Sequence, residues 1–158
     1  MKTIGLIGGM GWESSSLYYQ ALNTAYRKKK GRNHSCPSVL YSFDFEEIEK
    51  LQHEGDWDTL EQLMMEACMK VFMAGAEVII VCSNTMHKAT RHVERQFARQ
   101  FIHIADATAA QVTTRQLSKV GLLGTNFTMK ESFYKDRLKT KSGIEVVVPD
   151  LRARELMH

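Results

Sequence analysis

Proline is scarce in this 158-residue chain, which has two residues of it, Pro37 and Pro149, and no Pro-rich linker or low-complexity stretch. Cysteine is nearly as scarce. Cys36, Cys68 and Cys82 make an odd count without a CxxC spacing, which argues against a disulfide framework or a zinc knuckle and for reduced thiols. Long apolar runs are missing too: Glu77 interrupts the longest candidate, so no membrane partner is expected. The opening stretch is too short for a signal segment and has no small-residue cleavage site, so a cytoplasmic location is expected. Nor does one sign of charge dominate. With 21 basic against 18 acidic residues, the net charge of +3 is too small to argue for a nucleic-acid partner.

What remains is an ordinary globular composition, 44% hydrophobic and 25% charged, in a chain long enough to bury a substantial core. Apolar runs predict strands at Thr3–Ile7, Val39–Phe43, Glu77–Cys82, Phe101–Ile104, Val120–Leu123 and Ile144–Val148. Between them, helical spacing runs through Leu17, Ala21, Leu22 and Ala25 behind an N-cap at Ser14–Ser16, and through Leu60, Met64, Ala67 and Val71 between Asp56 and Gly75. Helical spacing resumes after Thr85, and helices follow over 105–117 and 128–138. Alternating strands and helices predict an α/β architecture with parallel sheets. A further helix begins at Leu151, so the last strand is followed by a fragment and the architecture reads as unfinished.

Ligands of open α/β sheets sit beyond the carboxyl ends of the strands. Three strand-to-helix loops qualify: Gly8-Gly9-Met10-Gly11-Trp12, Cys82-Ser83-Asn84-Thr85 and Gly124-Thr125-Asn126-Phe127-Thr128. The first contains no GxGxxG and no Walker A sequence, and Asp44 lies too far from it for the usual ribose-binding acid. For this loop, anion binding and a turn that simply needs glycine stand level. Cys82 also has two level readings. A thiol at a strand end facing a helix start has its pKa lowered by the helix dipole, whereas free cysteines are commonly small buried hydrophobes. Asn84 and Thr85 are suited to bind a carboxylate. Cys36 beside Pro37 and Cys68 in a helix read as structural. His87 reads as a capping or surface residue ahead of a partner for the thiol. The basic run Arg27–Arg32 reads as a solvated helix end, and the nine methionines as core.

Taken together, IGLIGGMGWESSSLYY, VCSNTMHK, IADAT and GLLGTNFTM resemble the aspartate/glutamate racemase family, within it the aspartate racemase and broad-specificity amino-acid racemase branch. The likeness runs in order to GIEVVVPD, nearly the whole chain. It implies two similar parallel-sheet α/β lobes, with 1–116 forming the first and 117–158 an incomplete second. It also implies racemisation without pyridoxal phosphate or any other cofactor or metal. One cysteine thiolate removes the α-proton and a thiol on the opposite face returns one, because a planar carbanion is reprotonated from either side only if an acid stands on each.

By this resemblance Cys82 is the first-lobe catalytic cysteine, Asn84 and Thr85 hold the substrate carboxylate, and Met10 lines the pocket. Gln52, in EIEKLQHEGDW, contacts the substrate, and Thr125 belongs to the second-lobe loop, with Thr128 nearby. The family's second cysteine, in a Gly-Cys-Thr-Glu stretch, and a later lysine have no match among these residues. The expectation is therefore a shortened racemase of an amino acid or dicarboxylate whose activity is crippled. The alternative is a non-catalytic or one-base remnant that self-associates or binds a small carboxylate. The exposed sheet edge of an unfinished lobe predicts a homodimer.

Overall fold

The computed structural model describes residues 2–156. Internal contacts divide the chain into two compact units, Met1–Ile102 and His103–His158. The first holds a four-stranded parallel sheet in the order β2-β1-β3-β4, with β1 at Ile4–Gly8, β2 at Ser38–Ser42, β3 at Val78–Val81 and β4 at Phe101–Ile102. The second holds a parallel pair, β5 (Lys119–Gly121) and β6 (Glu145–Val147). This is the predicted α/β class with parallel sheets.

Burial follows sequence pattern closely in the first unit. The central strand β1 places Leu6 and Ile7 out of solvent and pairs in register with both neighbours, Leu6 opposite Leu40 and Ile80. Helix α3 (Trp57–Met73) buries Leu60, Met64, Ala67, Cys68 and Val71 along one face, an i, i+4, i+7, i+8, i+11 stripe. Asp56 starts that helix by accepting from the Thr59 hydroxyl at 2.7 Å and from the Thr59 N–H at 3.0 Å, and these bonds, the hydroxyl's first, hold its carboxyl below the usual carboxylate range. The apolar stripe packs against Ile7, Ile79 and Val81 of the sheet.

Local chemistry moves several boundaries. Helix α1 (Trp12–Lys30) starts before the three serines that sequence reading took for its N-cap, and Gly11 occupies the cap position. Ser15 is instead buried, its hydroxyl accepting from the Gly9 N–H at 2.9 Å. Arg27–Lys30 form the last turn of α1, where cations complement the helix dipole. Helix α2 (Phe45–Glu54), unannounced by the sequence reading, is capped by Asp44 and closed by Gly55 in the left-handed region. After Thr85 the chain makes a 3₁₀ turn, Thr85–Ala89, before α4 (Arg91–Gln96).

The predicted helix over 128–138 is two pieces, α6 (Asn126–Lys130) and α7 (Ser132–Ser142), separated by an extended Glu131. Helix α8 (Leu151–Leu156) follows β6.

The second unit has its own core, formed by Ala105 and Ala109 of α5 (Ile104–Thr114), Tyr134 and Leu138 of α7, and Ile144. Asp106 of α5 accepts from Arg137 of α7 through both oxygens, at 2.5 and 2.7 Å, and from Lys141 at 3.0 Å. The family resemblance implies a lobe boundary after residue 116. Contacts place the division at 102/103, because the buried face of α5 and its carboxylate clamp engage α7.

Candidate active site

Parallel pairing brings the carboxyl ends of β1, β2 and β3 side by side in the first unit, and backbone bonds tie the following loops together. The Cys82 N–H donates to the Ile7 carbonyl at 2.8 Å, and the Phe43 N–H to the Gly8 carbonyl at 3.0 Å. The glycines between them are required by space. A Cβ on Gly8 would overlap the Ser15 hydroxyl, and one on Gly9, whose φ is +86°, would overlap the Phe43 carbonyl. The close approach of β1, α1 and the β2 loop thus accounts for both glycines.

The predicted site residues of this unit occupy these loops and the helix beside them. Cys82 is 1% exposed, Met10 6%, Gln52 8% and Thr85 7%, while Asn84 is open to solvent. Gln52, on α2, donates from Nε2 to the Met86 sulfur at 3.1 Å, which links that helix to the segment after Cys82. Met10, Ile48 of α2 and Met86 belong to the same apolar cluster. Thr125 lies in the second unit and is exposed. Its hydroxyl caps α6 by accepting from the Thr128 N–H at 3.3 Å and pairs with the buried Thr128 hydroxyl at 3.1 Å.

Two expectations need correcting. Burial pushes the Cys82 thiol up to about 12 from an ordinary 9.0, opposite to the lowering expected from a helix dipole. The helical element after it is a five-residue 3₁₀ turn with few aligned peptide dipoles, and desolvation of a thiolate outweighs it. Cys68, within the core, is raised to about 12 by the same cause.

The second correction concerns His87, which is 3% exposed and so not a surface residue, and which lies inside the 3₁₀ turn whose cap positions are Asn84 and Thr90. Its Nδ1 lies 2.7 Å from the Ser83 carbonyl oxygen. Sequence reasoning passed over it because nothing distinguishes a buried histidine from an exposed one until the turn geometry is known. The flanking Met86 and Ala89, both buried, were the available signal.

Among the described residues, no three or more His, Cys, Asp or Glu side chains gather as metal ligands would, and no helix is long and apolar enough to cross a membrane.

The profile of the Asp/Glu/Hydantoin racemase family matches residues 7–158. The chain is similar to a candidate Asp/Glu racemase from Yersinia pestis, at 50% identity and a TM-score of 0.92 over 98% of this chain and 67% of that one. It is also similar to an aspartate racemase homologue from Pyrococcus horikoshii, at 34% identity and a TM-score of 0.82 over 99% and 68%. An aspartate racemase from Picrophilus torridus, at 19% identity, shares the fold with a TM-score of 0.72 over 99% and 66%. The chain thus spans about two thirds of the length of these structures. With the family profile running from the first strand to the last helix, and half of the residues shared with one structure of the same fold, this chain belongs to the Asp/Glu/Hydantoin racemase family.

Proposed function

We propose that this protein takes part in cofactor-independent racemisation of a small amino acid, with an acidic one such as aspartate as the first candidate. Cys82 is one of the two groups that move the α-proton. Asn84 and Thr85 hold the substrate carboxylate, and Met10 and Gln52 shape the pocket. The observation that carries the reading is the position of Cys82: a thiol at the end of β3, bonded through its own N–H to β1, beside the crowded Gly8–Gly9 turn. A cysteine held in this way has a backbone-defined direction, which proton transfer at one face of a carbon requires.

The high thiol pKa fits a group that rests as the acid. As a base it needs its charge stabilised on substrate binding, and the ammonium group of an amino acid is the natural counter-charge. These 158 residues contain no second cysteine in a Gly-Cys-Thr-Glu stretch. The 158-residue polypeptide is therefore expected to exchange the α-proton faster than it inverts the centre. The test is incubation with L-aspartate in deuterated water, read by mass spectrometry and chiral chromatography. Deuterium at Cα in excess of D-aspartate, lost in Cys82→Ser, supports the reading. Exchange that is absent, or that survives Cys82→Ser, sinks it.

A further inference from the structure

We propose that His87 is a positioning residue for the Cys82 loop, acting through the carbonyl of Ser83. The inference rests on the reading of Cys82 and Asn84 as the proton-transfer and carboxylate-holding groups. A carbonyl oxygen only accepts, so at 2.7 Å from the Ser83 oxygen Nδ1 of His87 carries a hydrogen and donates it. Ser83 is the residue between Cys82 and Asn84, and its carbonyl belongs to the peptide that supplies the Asn84 N–H. Across a trans peptide, C=O and N–H point in opposite directions. Pinning the Ser83 oxygen against the buried imidazole therefore turns the Asn84 N–H away from it, on the solvent-exposed residue proposed to meet the substrate.

The main chain that carries the imidazole is itself held. The His87 N–H donates to the Asn84 carbonyl at 3.2 Å, which closes the 3₁₀ turn, and the Thr90 hydroxyl donates to the His87 carbonyl at 2.8 Å. The Phe101 ring of β4 stands 5.9 Å from the imidazole, centroid to centroid. The support thus runs from β4 through His87 to Ser83, so a sheet strand, in place of a free loop, sets the direction of the half-site. An ordinary core histidine fills space and satisfies itself wherever a partner is at hand. Here the partner is the one carbonyl that orients the peptide after the thiol.

The chain carries its own controls for a test, since Cys36 and Cys68 are buried at other places in the same unit. Iodoacetamide labelling of each cysteine is followed by mass spectrometry in the wild type and in His87→Leu, His87→Asn and His87→Gln. The asparagine amide reaches the position of Nδ1, whereas the glutamine amide reaches that of Nε2. Loss of one buried hydrogen bond makes the loop open about tenfold more often. Cys82 labelling is therefore expected to rise about tenfold in His87→Leu and His87→Gln, with Cys36 and Cys68 unchanged, and to return to near the wild-type rate in His87→Asn.

Equal Cys82 labelling in the asparagine and glutamine variants overturns the proposal. So does a rise at all three cysteines that asparagine does not reverse. If His87→Leu does not fold, the asparagine–glutamine pair decides alone. Failure of the underlying reading shows elsewhere, as wild-type protein without Cys82-dependent deuterium exchange, and leaves the labelling pattern as it is.

Discussion

A methyl group at Gly9 would run into the Phe43 carbonyl, and the φ of +86° is one that L-residues rarely adopt. Gly55, with a φ of +75° and nothing within 4 Å of its Cβ position, carries the conformational cost alone. The two glycines separate strain from crowding. Gly55→Ala is expected to cost about 1–2 kcal/mol, the penalty of a left-handed residue. Gly9→Ala should cost more than about 2 kcal/mol, because β1 and the β2 loop have to part as well. Urea denaturation compares them, and equal losses would show that the tight approach at Gly9 yields easily. The same closeness explains Ser15. Its hydroxyl lies against the turn because Gly8 has no side chain, so a residue that reads as helix-cap chemistry is a brace for the glycine loop.

At the scale of elements, α3 carries much of the first core, and its stripe makes a specific claim. Leu60→Ala should destabilise by about 2–5 kcal/mol, whereas Met73→Ala, at a residue 80% exposed, should stay within about 0.5 kcal/mol. A thermal or urea melt that shows similar losses for both would contradict the packing described for this helix. The stripe was legible in the sequence because a long apolar period is decided locally: Leu60, Met64, Ala67 and Val71 were each expected inside and each is buried. All six strands were legible for the same reason, to within a few residues at their ends.

Short elements were not. Helix α2 follows β2 with only Ile48 and Gln52 buried, too few for a period to show. The break at Glu131 leaves no mark in composition, since an extended residue between two helices needs neither glycine nor proline. At the candidate site, the chemistry-bearing residue types could be read, but their environment could not. Burial of Cys82 and His87 depends on what the 3₁₀ turn packs against, and for His87 that includes the ring of Phe101 on a separate strand.

Across the whole molecule, the largest displacements of ionisation are sorted between the two units. Arg137, with Lys141, holds the Asp106 carboxyl down at about 2 against an ordinary 3.8. This contribution is present above pH 3.8 and is lost as the pH falls towards 2. Cys68 and Cys82 act at the other end. Their thiols stay protonated in the folded chain up to about pH 12 but ionise near 9.0 once unfolded, so the first unit loses stability as the pH rises from 9 towards 12. Both tryptophans, Trp12 and Trp57, lie in the first unit, so their fluorescence reports on it selectively. In an acid titration, loss of helical circular dichroism is expected to begin before the tryptophan signal moves, and Asp106→Asn should remove that early phase. In an alkaline titration the tryptophan signal is expected to move first. Coincident changes at both ends of the scale would show that the units do not respond separately.

The separation of the two cores bears on how the chain is made. Every residue of the first core, from Ile7 to Phe101, precedes the division at 102/103. A ribosome therefore delivers all four strands of the first sheet, the glycine turn and the whole Cys82 loop with its histidine brace before it delivers any of the second core. Because domains generally fold as units from the N-terminus during synthesis, the half-site can take shape on a nascent chain whose remaining residues are still being joined.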